Sequence, residues 1–358
     1  MADSTLLIPG TQATTLLDHR GVTVYNAVRV GVGLQKHDLG GRPPSEWQRL
    51  LSLENVPGLW EPSRTSLEPG TSITPGPVVG TPYDRMLSFA DPWPYDWRAD
   101  IRYNAILLRK YLEDNRPPDG GRWNLIGHSQ GGLVIVLCSQ LTKGVDDFAR
   151  LVARVVLVGA PLAGTMKATD ALLWGSEGLG SDREQIEAAR GMARTWPALY
   201  QMLPSWDAVL RPNGDPVPPE QRLVHPDGWP GRWGEGIQDD LLLRALEAQA
   251  LLLGPFSRFG PGVIAMAIQG KRQMTPVTVV RNRNQYPDDR TMRNQAGDSL
   301  VPSDRTIDWG DAFFRDRVVV LTGKPEPHAM LCQDEDVVDL TRRFLRHPAP
   351  PPPVADPT

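Results

Sequence analysis

A serine hydroxyl attacks a carbonyl only when a base takes its proton and a third group steers the base. The chemistry to look for is therefore a serine on an exposed turn, a histidine and a carboxylate. Ser129 stands in the right setting, within Gly127-His128-Ser129-Gln130-Gly131. A strand-like run, Trp123-Asn124-Leu125-Ile126, enters this turn, and a second run, Gly132 to Leu141, leaves it with helical character. The pattern Gly-x-Ser-x-Gly lets a strand turn sharply into a helix, because small residues on either side of the serine allow the two elements to approach closely. On such a turn the hydroxyl is lifted off the sheet edge. The first N–H groups of the helix also face whatever the serine attacks, so negative charge developing there meets a positive helix end.

The base and its partner must be found elsewhere in the chain. In an α/β hydrolase they follow the serine in the order acid, then histidine, each on a loop after a late strand. Of the six histidines, His19 and His37 precede the turn, His225 lies in a long irregular stretch, and His347 sits in a Pro-rich tail. His128 adjoins the serine on the strand side and cannot fold back onto it. His328 remains, following the strand-like Val318 to Leu321 by a short loop and preceding a helical segment. For the acid, Asp298 in Gly297-Asp298-Ser299-Leu300-Val301-Pro302 is preferred over Asp304 and Asp308, since a glycine before it and apolar residues after it describe a loop tip buried against the sheet edge. An oxyanion hole needs two backbone donors. One is expected from Gln130, after the serine, and the other from the loop Pro9-Gly10-Thr11-Gln12, donated by Gln12 or Thr11.

These side chains must be carried by a framework, and the chain alternates strand-like with helical segments as a mostly parallel sheet covered on both faces would require. Leu6 to Pro9 reads as a first strand, Val152 to Val158 as a continuous β-branched central strand, and Asp100 to Asn115 as a helix with Ile101, Ala105, Leu108 and Leu112 at helical spacing. Val30 to Val79 reads as loops with a short helix around Ser45 to Leu53. Between Gly164 and Pro276 the alternation fails, in a stretch rich in Trp, Pro and Gly with helices predicted over Arg183 to Arg194 and Asp239 to Leu253. Thr278 to Arg281 and Val318 to Leu321 restore the strand pattern, and Glu335 to Leu345 closes with a helix. The expected organisation is an α/β core over 1–164 and 276–346, an inserted cap over 165–275 that excludes water and shapes an apolar acyl pocket, and a disordered Pro-rich tail over 347–358.

Composition narrows the functions. With 358 residues and 40% apolar content the chain can bury a large core, and its formal net charge of −4 offers no basic field for nucleic acid. The first residues pass directly into a strand-like segment, without a basic region followed by an apolar stretch, and no apolar run reaches bilayer-spanning length. Two cysteines, Cys138 and Cys332, cannot make a disulfide framework and suit a reducing compartment. The expected setting is cytoplasmic, without cofactor or metal, and with at most transient contact with a membrane surface.

The chain resembles the lecithin:cholesterol acyltransferase family, which includes lysosomal phospholipase A2. The matching segments fall in order: Ile8-Pro9-Gly10, Pro94-Tyr95-Asp96-Trp97-Arg98, the Gly127 to Gly132 turn, Gly159-Ala160-Pro161 with Gly164, Met202-Leu203-Pro204-Ser205, Gly297 to Pro302, and His328-Ala329-Met330-Leu331. The resemblance implies an α/β-hydrolase fold, Ser129, Asp298 and His328 as a triad, and Gln12 and Gln130 as oxyanion donors. Departures from the family are Gln130 in place of the usual methionine, a missing cysteine framework, and an unlike lid segment. Together these readings lead to a serine-dependent hydrolase or O-acyltransferase acting on a lipid ester through an acyl-enzyme. The alternatives are a soluble esterase, thioesterase or amidase on a small acyl substrate, and a non-catalytic lipid-binding module. Asp96 and Arg98 are expected to form a buried ion pair that pins the loop beneath the site.

Overall fold

The computed structural model describes residues 4–29, 35–38, 42–54, 64–65, 73–141, 145–175, 182–254, 259–260, 262–281, 292–303, 318–321 and 327–346. Its centre is a six-stranded, all-parallel sheet. In chain order the strands are β1 (Ser4–Ile8), β2 (Asp91–Pro92), β3 (Trp123–His128), β4 (Val152–Val158), β5 (Ile264–Gly270) and β6 (Val318–Leu321), and across the sheet they lie β2-β1-β3-β4-β5-β6. All adjacent pairs are parallel. Parallel strands have helices on both faces and so are buried on both. The side chains of β3 are accordingly all buried, and those of β4 all but Arg154.

Neighbouring residues on one strand enter different cores. Leu6 and Ile8 of β1 and Leu125 of β3 join one apolar cluster, while Leu7 and Ile126 join the other. The first cluster is filled by helices α1 (Ile101–Asp114) and α2 (Gln130–Gln140), together with Trp93, Tyr95 and Trp97. Helix α2 is buried from Gln130 to Ser139, which explains why its sequence is apolar on every side. A helix with a solvent face would alternate.

The chain leaves β4 into a helical segment containing α3 (Met166–Trp174), α4 (Arg183–Ala193), α5 (Pro197–Gln201) and α6 (Asp239–Leu252), and closes after β6 with α7 (Glu335–Arg346). Helix α7 buries Val337, Val338, Leu340 and Phe344 in the second cluster, with Thr341 buried beside them on the helix, and turns its charged residues outward. The short helix expected around Ser45 to Leu53 is Pro44–Leu51.

Three expectations need correction. Val30 to Val79, read as loops with a short helix, also holds the strands Gln35–Asp38 and Thr74–Val78 of a four-stranded sheet. The cap boundaries of 165–275 run too far, because Ile264–Gly270 is a strand of the central sheet between β4 and β6. The strand read at Thr278 to Arg281 is Gln273–Val280, and it belongs to a separate three-stranded sheet with Val209–Leu210 and Met292–Gly297 rather than to the core sheet. The tail over 347–358 lies outside the described residues, as do Asp304 and Asp308.

Strand order locates the crevice. From β1 the chain crosses to β2 on one side, and from β3 it crosses to β4 on the other. The carboxyl ends of β1 and β3 therefore flank the topological switch point, where open α/β sheets place their ligands.

Candidate active site

At the end of β3 the backbone of Ser129 adopts φ 53° and ψ −127°, a conformation costly for any residue with a side chain. Serine at a helix N-cap ordinarily bonds its own helix. Here it makes no such cap bond, so the hydroxyl is not consumed by the turn. The Ser129 N–H donates to the Val158 carbonyl at the end of β4 at 2.9 Å, which ties the elbow to the neighbouring strand.

Asp298 follows Met292–Gly297 directly and is wholly buried. Its Oδ1 accepts from the N–H groups of Leu300 and Val301 at 3.0 and 2.7 Å, and its Oδ2 accepts from His328 Nδ1 at 2.8 Å. Each oxygen of the buried carboxylate thus meets at least one donor, as burial of a polar group requires. Gln269, near the end of β5, donates to the Val301 carbonyl at 3.2 Å and approaches Oδ2 at 3.5 Å, holding the acid loop against the sheet. The His328 N–H donates to the Asp298 carbonyl at 2.7 Å, so backbone and side chain of the two residues are joined. With Nδ1 bound to the carboxylate, Nε2 is the nitrogen left facing away from it. It is buried and has no hydrogen-bond partner among the described residues, the Ser129 hydroxyl included.

The elbow and the histidine loop meet around Gly159 and His128. Gly159, at φ 57°, follows the strand residue that receives the Ser129 N–H. A Cβ there would lie 3.1 Å from both Asp298 Oδ2 and His328 Cε1, so only glycine leaves the pair room. The rings of His128 and His328 are 4.9 Å apart.

The loop after β1 approaches from the opposite side. Gln12 is left-handed, at φ 64°. Thr11 Oγ1 donates to Gln130 Oε1 at 2.8 Å, and Gln130 Nε2 donates to the Trp97 carbonyl at 3.0 Å. Gln130 thus clamps the first loop to the start of α2. Tyr95 donates its hydroxyl proton to the Pro9 carbonyl at 2.8 Å, and the Trp97 indole donates to the Thr14 carbonyl at 3.1 Å. Arg98 and Asp96 form the expected pair, at 2.7 and 3.0 Å, although only Arg98 is buried and Asp96 is partly exposed, and Arg98 makes a further bond to the Leu51 carbonyl. The PYDWR segment is therefore the scaffold beneath the first loop.

Sequence reasoning passed over Tyr83, Gln269 and the ring of His128. Gln269 follows the apolar run Ile264 to Ile268, a local sign of a buried hydrogen-bonding role, whereas Tyr83, between Pro82 and Asp84, and His128, between Gly127 and Ser129, carry no such sign. Among the described residues no group of histidine, cysteine and carboxylate side chains is placed to hold a metal ion, and no helix is long and apolar enough to cross a membrane.

The lecithin:cholesterol acyltransferase family model matches residues 82–227, the span that carries the PYDWR segment and the elbow, and the resemblance read from the sequence is borne out there. The crystal structure of the Tle4-Tli4 complex contains a chain similar to this one over 94% of this chain and 96% of that chain, at 15% identity and a TM-score of 0.58. Phospholipase PlaB from Legionella pneumophila is similar over 52% of this chain and 32% of its own, at 14% identity and a TM-score of 0.28. No curated protein matches the sequence. The fold is that of the α/β hydrolases.

Proposed function

We propose that this protein is a serine-dependent hydrolase or O-acyltransferase of lipid esters, working through an acyl-enzyme at Ser129. The observation that carries the reading is the buried Asp298–His328 pair, whose free Nε2 sits on the loop packed against the elbow. The match of residues 82–227 to a family of acyltransferases supports the same class.

In this mechanism His328 Nε2 takes the Ser129 proton as Oγ bonds to the ester carbonyl carbon. Asp298 stabilises the imidazolium that forms. The carbonyl oxygen, now an anion, is held by the N–H of Gln130 and by that of Gln12. Collapse of the tetrahedral species breaks the ester C–O bond, and the departing alkoxide takes the proton from His328. Water or an acceptor alcohol then gives its proton to His328 and attacks the acyl-enzyme, releasing acid or a new ester and restoring Ser129.

The segment over the sheet supplies an apolar wall. Met202 lies with its sulfur 4.0 Å from Thr11 Oγ1, at the oxyanion loop, and Trp196 is buried behind it in the main core. The reading includes a reducing, cytoplasmic setting, supported by the free thiols Cys138 and Cys332, both buried and with Cys138 pushed up to about 12 by desolvation.

Ser129→Ala should abolish turnover of p-nitrophenyl esters and labelling by a fluorophosphonate while leaving the far-UV spectrum unchanged. Retained turnover removes Ser129 from the role. A chain-length series on the wild type then separates substrates, since rising kcat/KM toward long acyl chains marks a lipid esterase and a maximum at acetyl or butyryl marks a small-ester enzyme.

A further inference from the structure

The mechanism uses both ring nitrogens of His328 and leaves a second buried imidazole, that of His128, without a task. Its two nitrogens are both engaged. Nε2 lies 3.1 Å from the carbonyl oxygen of His328, an atom that can only accept, so this nitrogen carries the proton. Nδ1 is then a lone pair, and it lies 2.7 Å from the hydroxyl of Tyr83, which donates to it. The same hydroxyl oxygen accepts the backbone N–H of Gly10 at 2.8 Å. Three bonds thus run in one direction, from Gly10 N–H through Tyr83 and His128 to the His328 carbonyl, through side chains that are both buried.

We propose that Tyr83 and His128 are positioning residues, a buried relay that holds the base loop at His328 in register with the oxyanion loop at Gly10. The inference takes its catalytic meaning from the proposed triad, although the relay itself is defined by geometry alone. At one end, the peptide groups on both sides of His328 are fixed, its N–H by the Asp298 carbonyl and its C=O by His128. The ring can then move only about its own side-chain torsions, and the bond to Asp298 sets those. At the other end, a Cβ built on Gly10 would lie 2.9 Å from Ser129 Cβ and 3.1 Å from His128 Nδ1. Oxyanion loop, nucleophile and relay therefore touch at one place.

Only a neutral imidazole fits. A second proton on His128 would point an N–H at the Tyr83 oxygen, which already receives one from Gly10 and whose own O–H would lose its acceptor. The titratable groups facing His128 are His328 and Tyr83, with Cys332 acting on Tyr83 in turn. Burial first, and the neighbouring His328 second, lower His128 to about 3, and burial raises Tyr83 well above the usual phenol value. Neither residue competes with His328 for the serine's proton at neutral pH.

Tyr83→Phe keeps the ring and removes only the oxygen. It should lower kcat on p-nitrophenyl esters about tenfold to a hundredfold, the range set by small displacements of reacting groups, with KM changed less than about twofold. His128→Phe should do the same. His128→Gln, whose amide can still donate to the His328 carbonyl, should recover a large part. Folded Tyr83→Phe and His128→Phe proteins that turn over at the wild-type rate overturn the positioning role. A second measurement is independent of turnover and of those variants' folding. In the full-length Ser129→Ala protein labelled with 15N-histidine, His128 should carry its proton on Nε2 and none on Nδ1. A proton on Nδ1 overturns the relay whether or not the protein is an esterase. If the relay is seen by NMR and Ser129→Ala leaves turnover untouched, it is the triad reading that fails.

Discussion

At the scale of single residues, the site depends on which imidazole is allowed a proton. His128 is held at about 3 against its ordinary 6.5, mainly by burial. Between these values the unfolded chain binds a proton that the folded protein refuses, so the stability tied to His128 is complete above about pH 6.5. It falls as the pH drops toward 3, by about 1.4 kcal/mol per pH unit for this one group. Urea unfolding between about pH 7 and pH 4 should therefore give a steeper loss for the wild type than for His128→Gln. Equal slopes would mean that His128 takes its proton inside the fold. The sequence displays its short-range signals well. Glycines bracket Ser129, and a glycine before Asp298 with Val-Pro after it marks the buried loop tip on which that carboxylate sits. The relay was not legible, because Tyr83 is 45 residues from His128, and His128 is 200 residues from the carbonyl it holds. Hydrogen bonds across such separations are decided by how strands and loops pack, and no local pattern encodes them.

At the scale of elements, α2 packs directly against the end of β1 with no room for a side chain at Gly131. A Cβ on Gly131 would lie 2.1 Å from the Ile8 carbonyl oxygen and 2.6 Å from that of Pro9. Both obstacles are backbone, so neither can swing aside. Gly131→Ala must push the first turn of α2 away from the loop after β1, stretching the bond from Thr11 to Gln130. The expected result is a loss of kcat/KM of about a hundredfold or more, or failure to fold, read by ester turnover and circular dichroism. A fully active Gly131→Ala protein would show that the loop after β1 is not part of the site. Strand assignments show what the sequence could and could not convey at this scale. Val152–Val158 is β-branched and unmistakable, whereas Ile264–Gly270 mixes two alanines, a methionine and a glutamine into a strand that is almost entirely buried. Its small residues diluted the apolar signal, and its place in the central sheet was missed. The opposite error arose at Gln273–Val280, whose buried and partly buried residues alternate from Thr275 to Val280. Alternation belongs to an antiparallel strand with one wet face, and the strand indeed pairs antiparallel with Met292–Gly297.

At the scale of the molecule, the segment between β4 and β5 shares its core with the sheet, since Trp196, Trp229 and Trp233 lie in one cluster with Ile8, Leu125 and Leu133. A polar joint crosses this core. Asp100 caps α1 and accepts two bonds from the Arg102 guanidinium at 3.0 and 2.7 Å, and one from Gln201 of α5 at 2.7 Å. Arg102 also reaches Glu247 of α6 at 2.6 Å, while the side-chain amide oxygen Oε1 of Gln201 receives the Ile101 N–H at 2.7 Å. Helices α1, α5 and α6 are thus locked together around one buried carboxylate. Helix α5 leads directly to Met202, whose sulfur lies 4.0 Å from Thr11 Oγ1, so the joint is linked to the loop after β1 through one short helix. Arg102→Met leaves Asp100 charged, buried and without its cation, which should cost about 3–5 kcal/mol in urea unfolding. Adding Asp100→Asn removes that charge while keeping an oxygen for the cap and for Gln201, so the double variant should be more stable than the single one. Were the single variant as stable as wild type, Asp100 would have to be reached by water, and the segment would be held to the sheet by its tryptophans alone.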